Sequence, residues 1–440
     1  MTLYAGAARR DISPIKPVQL CGYPHVRRIA SGIHDPLLAS ALYLRSDGDA
    51  VLLGALDLLM LNCDVARRIR RRVARELGLA EANVLISCTH THSGPVTLDY
   101  LPFHGDSAMP PPEPAYLRFG EEQFVQTARE AKANARKAEL AWTHADARGV
   151  GGNRHSSTGP TDPEVGILAV RAAGRFLAVA IIYGMHPTVL HEDSTLISAD
   201  FPYYTRRHLQ EALGDELVVL YHTGPAGDQS PRYHVQSQTF AEAERLGRQL
   251  GSAVLPRLKN MVFQGEVRLA GALQPVDFPR RQFPGVTEAE KVLARYRAEH
   301  ERLQTAGAAP AEVRTAEVAV FGAEALLRLA RAQESGEIDQ RLGRYRPFDV
   351  QILRIGEVYL AAWPGEFFVD YGLQLKQRAP VKTLVVTYAN GELQGYIVTP
   401  EAAARGGYEA AGRMFEPAAG QRVVNTTLAS LGNLEHRLSR

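Results

Sequence analysis

Cysteine is scarce: Cys21, Cys63 and Cys88 are the three in 440 residues, and none stands in a CxxC spacing. An odd, unpatterned set supports neither a disulfide framework nor a cysteine zinc site, so core thiols are expected. Charge of one sign is also missing, since 50 Lys plus Arg against 48 Asp plus Glu leave a formal charge of +2. That balance excludes a surface built for nucleic acid or an anionic membrane. No long hydrophobic run occurs. The apolar stretch from Val51 to Leu61 is broken by Asp57 and falls far short of the roughly 20 residues of a membrane helix. No charged leader or apolar leader core precedes the fold-like run Tyr4–Ile12, so a cytoplasmic protein is expected. Internal repeats, low-complexity tracts and long linkers are absent too, and a single domain over residues 1–440 is expected. What is there is an ordinary globular composition, 45% hydrophobic and 22% charged, in a chain long enough to bury a sizeable core.

The apolar run Ala50–Met60, the amphipathic basic stretch Asp64–Leu79 and the apolar Asn83–Ser87 read as strand, helix and strand. Such a crossover usually joins parallel strands, which predicts an α/β fold with a mixed, largely parallel sheet core flanked by helices. Residues 107–114 read as a proline-rich loop, Tyr116–Leu140 as a helix, and Val165–Arg171 and Phe176–Tyr183 as strands. Helices over 199–212 and Thr239–Leu258 flank a short strand, Leu217–Tyr221, and the turn-rich Gly224–Arg232. Residues 287–337, charged and broken by Gly307–Pro310, predict a largely solvated helical insertion. Strands return at Phe348–Ile355 and Val358–Ala362.

Chemistry concentrates just after strands. Thr89-His90-Thr91-His92-Ser93-Gly94-Pro95 follows the strand Asn83–Ser87, and ligands of open α/β sheets gather outside the carboxyl ends of strands. Two histidines in extended geometry face one side, which suits a metal or, equally, a hydrogen-bonded polar pair in a turn. His186, in Gly184-Met185-His186-Pro187, also follows a strand, with His191 near enough to compete for its role. By itself it reads equally as a buried, hydrogen-bonded histidine. Glu366 follows Pro364-Gly365 after the strand Val358–Ala362. A solvated turn carboxylate fits that position, and so does a buried one compensated by a cation. Gly224–Arg232 allows close backbone approach to a substrate and resembles no phosphate loop, and Gly149–Gly152 has no dinucleotide spacing. Ser230 lacks a nucleophile-elbow context and, beside Asp228, is placed to orient a substrate or a water.

Taken in order, Gly22-Tyr23, Gly32-Ile33-His34-Asp35, Thr89–Pro95, Asn153-Arg154, Gly227-Asp228 with Ser230-Pro231, Pro364-Gly365-Glu366, Tyr396–Thr399 and Tyr408-Glu409 resemble the catalytic domain of the neutral and alkaline non-lysosomal ceramidases. The resemblance spans nearly the whole chain. It implies one zinc ion per chain, held by His90, His186, Glu366 and Tyr396, with His92, Arg154, Ser230 and Tyr408 lining the substrate side. The implied reaction is hydrolysis of an amide bond in an N-acyl, ceramide-like substrate. A metal-activated water attacks the carbonyl, Tyr408 or Arg154 stabilises the oxyanion and His92 protonates the leaving amine. Asp57 and Asp200 are candidates to support this set, or else to cap a helix or end a sheet.

The sequence departs from the family pattern at Pro187, Val189, Arg232 and Ala199-Asp200-Phe201, close to where substrate is expected. It is also expected to lack the family's further β-rich C-terminal domain. A zinc hydrolase of an ester, lactone or other carboxyl derivative is the alternative reading, and a non-catalytic metal-binding scaffold is the second.

Overall fold

Continuous apolar runs become the strands of three larger sheets in the computed structural model, which describes residues 2–438. The first sheet orders Val84–Cys88, Asp49–Leu56, Leu38–Ser46, Leu3–Asp11 and the short Arg136–Lys137. The second orders Val218–Thr223, Arg175–Tyr183, Glu164–Ala172 and Glu139–Asp146, and the third Leu269–Val276, Phe348–Ile355, Val358–Ala362 and Thr383–Val386. With eleven α-helices around them among the described residues, the fold is mixed α/β, as expected.

The expected parallel weight does not hold: most pairs are antiparallel. Two-residue turns at Asp47-Gly48, Ala173-Gly174 and Gly356-Glu357 close hairpins with Ser46 opposite Asp49, Ala172 opposite Arg175 and Ile355 opposite Val358. A hairpin forces antiparallel pairing, and Asp-Gly is its strongest short signal, with Asp47 and Gly48 both at positive φ. Among the described residues each larger sheet keeps one parallel pair, Asp49–Leu56 with Val84–Cys88, Arg175–Tyr183 with Val218–Thr223, and Val358–Ala362 with Thr383–Val386. The first is the strand-helix-strand crossover expected from sequence, through the helix Cys63–Leu77.

Leu42, Leu53 and Leu85 from the first sheet, Leu168 and Leu220 from the second, and Leu353, Leu360 and Leu384 from the third share one buried cluster. The outer faces are covered by helices. Ile69 and Val73 with Phe124 and Val125 cover the first sheet, Leu209 with Leu246 and Leu250 the second, and Val423 with Leu431 the third. Cys21, Cys63 and Cys88 are free and buried, as expected.

Three other expectations change. The helix predicted over Tyr116–Leu140 ends at Ala133, because residues 136–146 are drawn into strands against Tyr4 and Ala5 and against Glu164–Ala172, a tertiary override of local propensity. The strand Leu269–Val276 has no counterpart in the sequence reading. The insertion forms helices Val286–Thr305, Pro310–Glu334 and Glu337–Tyr345, and it is not merely solvated: Leu326, Leu329 and Ala330 enter the core behind the third sheet. Among the described residues no helix is long and apolar enough to cross a membrane.

The carboxyl ends of the three parallel pairs are stitched together. Asn390 N donates to Ile86 O at 2.9 Å, Cys88 N to Tyr388 O at 3.0 Å, and Thr387 N to Thr223 O at 2.8 Å. The Thr223 hydroxyl donates to Thr89 O at 2.9 Å. The loops that leave these ends therefore face one another, where sheet architecture favours a ligand.

Candidate active site

His90 stands two residues past the strand Val84–Cys88, in a left-handed conformation with φ 68°. The pair His90 and His92 is thus not extended, yet both rings turn into the same space. The His90 N–H donates to Leu58 O at 2.9 Å and its Nδ1 donates to Leu59 O at 3.0 Å. His186, after Arg175–Tyr183, directs Nδ1 to Ala226 O at 2.6 Å and Gln229 O at 3.0 Å. In both rings the protonated Nδ1 leaves the Nε2 lone pair facing the site, the usual arrangement of a metal-binding histidine. Gly22, at φ 105°, leaves room for His92: a Cβ there would lie 2.5 Å from His92 Nδ1.

Glu366 is buried in the two-residue strand that pairs with Tyr396–Ile397. Its Oε2 lies 3.5 Å from His90 Nε2 and 3.3 Å from His186 Nε2. One ring nitrogen from each of His90, His92 and His186 lies within 4.8 Å of the other two. His90 Nε2, His186 Nε2, both His92 nitrogens and Glu366 Oε2 are buried with no hydrogen-bond partner among the described residues. So many unsatisfied buried polar atoms aimed at one point are costly unless a cation joins them. Burial pushes the His90 and His186 imidazoles down to about 3 and His92 well below its ordinary value, so all three are neutral; burial pushes the Glu366 carboxyl up. Neutral imidazoles and a carboxylate are a nitrogen and oxygen donor set that fits a divalent metal such as zinc.

Beside this cluster Tyr396 interacts with Glu366 and Arg154, and the Arg154 guanidinium lies 5.3 Å from the Tyr396 ring centroid. Arg154 Nε donates to Glu409 Oε1 at 2.8 Å, and His155 Nε2 lies 3.4 Å from the same oxygen. Burial alone would raise the Glu409 carboxyl, but the charge of Arg154 and the contact with His155 hold it below the usual carboxylate range. A cavity of about 620 Å³ opens over the cluster, lined by His92, His186, Arg154, Ser230, Tyr396 and Tyr408. Its far wall is the helix Pro310–Glu334, through Arg314, Val318 and Phe321.

Residues 4–239 match the family described as neutral/alkaline non-lysosomal ceramidase, N-terminal. The chain belongs to that family. A curated relative, the neutral ceramidase of Mycobacterium tuberculosis, is 26% identical over 467 aligned residues, covering 90% of this chain and 71% of the relative. Among solved structures, a ceramidase complexed with C2 superposes with a TM-score of 0.75 at 18% identity, over 99% of this chain and 76% of that one. The neutral ceramidase from Pseudomonas aeruginosa gives 0.74 at 20% identity, over 98% and 75%.

Within this ceramidase fold all eight residues singled out from sequence reach one site: His90, His92, His186, Glu366 and Tyr396 at its floor, with Arg154, Ser230 and Tyr408 on the cavity wall. The Asp228 carboxylate beside Ser230 accepts from Asn153 Nδ2 and Val369 N, each at 2.9 Å, tying the loops together. Asp57 and Asp200 take the ordinary roles. Asp57 accepts from Leu38 N and pairs with Arg206, and Asp200 caps the helix Phe201–Leu213 at Phe201 N. Two contributors were missed from sequence. Glu409, in the Tyr408-Glu409 motif, is the partner of Arg154, which the motif alone does not reveal. Tyr388 stacks on His90 with centroids 4.0 Å apart, and its buried hydroxyl lacks a partner among the described residues. Tyr388 lies two residues beyond the strand Thr383–Val386, so the strand-end rule that singled out His90 was the available signal.

Proposed function

We propose that the chain is a zinc-dependent hydrolase that cleaves the amide bond of an N-acyl substrate of the ceramide type. The observation that carries this reading is the convergence of unpartnered His90 Nε2, His186 Nε2 and Glu366 Oε2 on one buried point beneath a cavity. His90, His186, Glu366 and Tyr396 hold one zinc ion. When bound, zinc supplies hydroxide near neutral pH and polarises a carbonyl.

The chain's own groups do the rest. Arg154 and Tyr408, on the cavity wall, donate to the carbonyl oxygen as it gains charge, which is worth roughly 3 to 4 kcal/mol per well-placed donor. The Arg154 guanidinium is braced for this by Glu409. His92 has neither ring nitrogen held by a backbone carbonyl, unlike His90 and His186. It is the imidazole free to take a proton from the attacking water and pass it to the departing amine, which leaves poorly unless protonated. Ser230 orients the substrate.

Elemental analysis of purified protein, paired with amine release from short and long N-acyl amides before and after chelation, tests the reading. About one zinc per chain and chelator-sensitive amine release are the expected result. Zinc with cleavage of esters or lactones but no amine release would replace the amide assignment, and full activity in zinc-free protein would remove the mechanism.

A further inference from the structure

Four arginines and two glutamates line the cavity: Arg154, Arg232, Arg314 and Arg405 against Glu192 and Glu409. The two glutamates are taken. Arg154 pairs with Glu409, and Arg314 pairs with Glu192 at 2.7 Å and with Glu317 at 2.6 Å. Arg232 and Arg405 remain, and among the described residues neither meets a carboxylate. Arg232 makes one long contact, 3.5 Å to Arg154 O, and lies 5.8 Å from the Tyr233 ring centroid.

Both unpaired guanidiniums sit on segments that also supply residues to the reaction site. Arg232 follows Ser230-Pro231, and Arg405 ends the helix Pro400–Arg405 just before Gly406-Gly407-Tyr408. The helix Pro310–Glu334 adds Val318, Ala319 and Phe321 to the lining, beside the paired Arg314. The cavity therefore offers, in one connected space, a metal-capable floor, apolar lining side chains and two exposed cations without a carboxylate partner among the described residues.

We propose that the substrate is an N-acyl amide carrying an anionic group remote from the scissile bond, a carboxylate, sulfonate or phosphate held by the exposed cavity residues Arg232 and Arg405. This rests on the amide-hydrolase reading and narrows its substrate class, among N-acyl amides, to those that carry an anionic group. Guanidinium forks bind such oxyanions bidentately, and a charge-assisted pair of this kind is stronger than a neutral hydrogen bond. The anion adds binding without touching the reacting atoms, so it acts on KM rather than on the chemical step.

Three amides of one chain length test this with the zinc-loaded protein: N-dodecanoyl taurine, the neutral N-dodecanoyl ethanolamine, and the ethanolamide of dodecanedioic acid, whose charge is at the acyl end. The wild type is expected to favour at least one anionic amide over the neutral one by roughly tenfold in kcat/KM, with the preference shrinking as salt is raised. In the Arg232→Gln/Arg405→Gln variant that advantage disappears through KM, while kinetics on the neutral amide stay unchanged. Arg405→Glu lowers activity on the anionic amide further. Equal treatment of all three amides by the wild type, or equal losses on charged and neutral amides in the variants, would overturn the inference. Equilibrium binding of the same compounds separates the two readings: charge-selective binding lost in the variant without cleavage of any amide leaves the arginine site standing and removes the hydrolysis assignment.

Discussion

His90 holds a left-handed backbone conformation, φ 68°, that costs a non-glycine residue on the order of 1–3 kcal/mol and persists only where its surroundings impose it. Here they do, because its N–H and Nδ1 are both engaged by consecutive carbonyls, Leu58 O and Leu59 O. A ring orientation fixed at that cost fits a ligand better than a packing residue. Replacing the carboxylate opposite it, Glu366→Gln, is expected to weaken zinc binding by more than the roughly 10- to 100-fold typical of outer partners, read by competition with a metal-sensitive dye. Unchanged affinity would remove Glu366 from the ligand set. Glu392 supplies a test away from the metal. Burial raises its carboxyl to about 7 even though Asn62 Nδ2, at 2.8 Å, and the Gln394 side chain, at 2.7 Å, donate to it. An unfolded glutamate releases its proton near about 4.3, so between there and about pH 7 the folded state binds more protons and stability falls as pH rises. Glu392→Gln is expected to flatten that slope in denaturant melts taken across the window, and an unaltered slope would place the titrating group elsewhere.

At the scale of elements, the helix Pro310–Glu334 shows how far local pattern carries. Its charged spacing made a helix legible, and the break at Gly307–Pro310 correctly separated it from Val286–Thr305. Which face it buries was not legible, since the apolar residues that meet the core and those that line the cavity share one sequence. The close approach is at Gly322, where an added Cβ would lie 3.1 Å from Tyr408 Cα and 3.2 Å from Ala411 Cβ. Gly322→Val is therefore expected to push the turn Tyr408–Ala411 away from the helix and cut turnover roughly tenfold to hundredfold, with zinc content unchanged by elemental analysis. Retained activity would mean that Tyr408 is not positioned by this contact. The hairpin turns teach the complementary point: Asp47-Gly48 carried its own signal, whereas Ala173-Gly174 and Gly356-Glu357 are weaker ones that pairing decided.

Across the whole molecule, the three sheets share one buried cluster while the candidate ligands come from loops at the ends of strands in each of them. We propose that this joint core makes the chain one cooperative domain, with zinc binding only its folded form. Calorimetry is then expected to show a single transition whose midpoint falls on chelation and recovers with added zinc, as mass action requires of a ligand specific to the native state. Separate transitions would divide the domain, and a midpoint indifferent to chelation would disconnect the metal from folding.

The sequence by itself determined the mixed α/β class, the strand ends at which His90, His186 and Glu366 would stand and, through its ordered motifs, the family. These depend on local pattern, an apolar run and the polar residues immediately after it. The tertiary structure alone decided that hairpins would outnumber crossovers, that Leu269–Val276 would join a sheet, and that helix Pro310–Glu334 would wall the cavity. It also decided that Tyr388 would stack on His90 and that Arg232 and Arg405 would line the cavity without a carboxylate partner among the described residues. The reason is physical: a strand end is written in neighbouring residues, but which ends meet depends on pairings between segments far apart in the chain, such as Ile86 with Asn390 and Thr223 with Thr387.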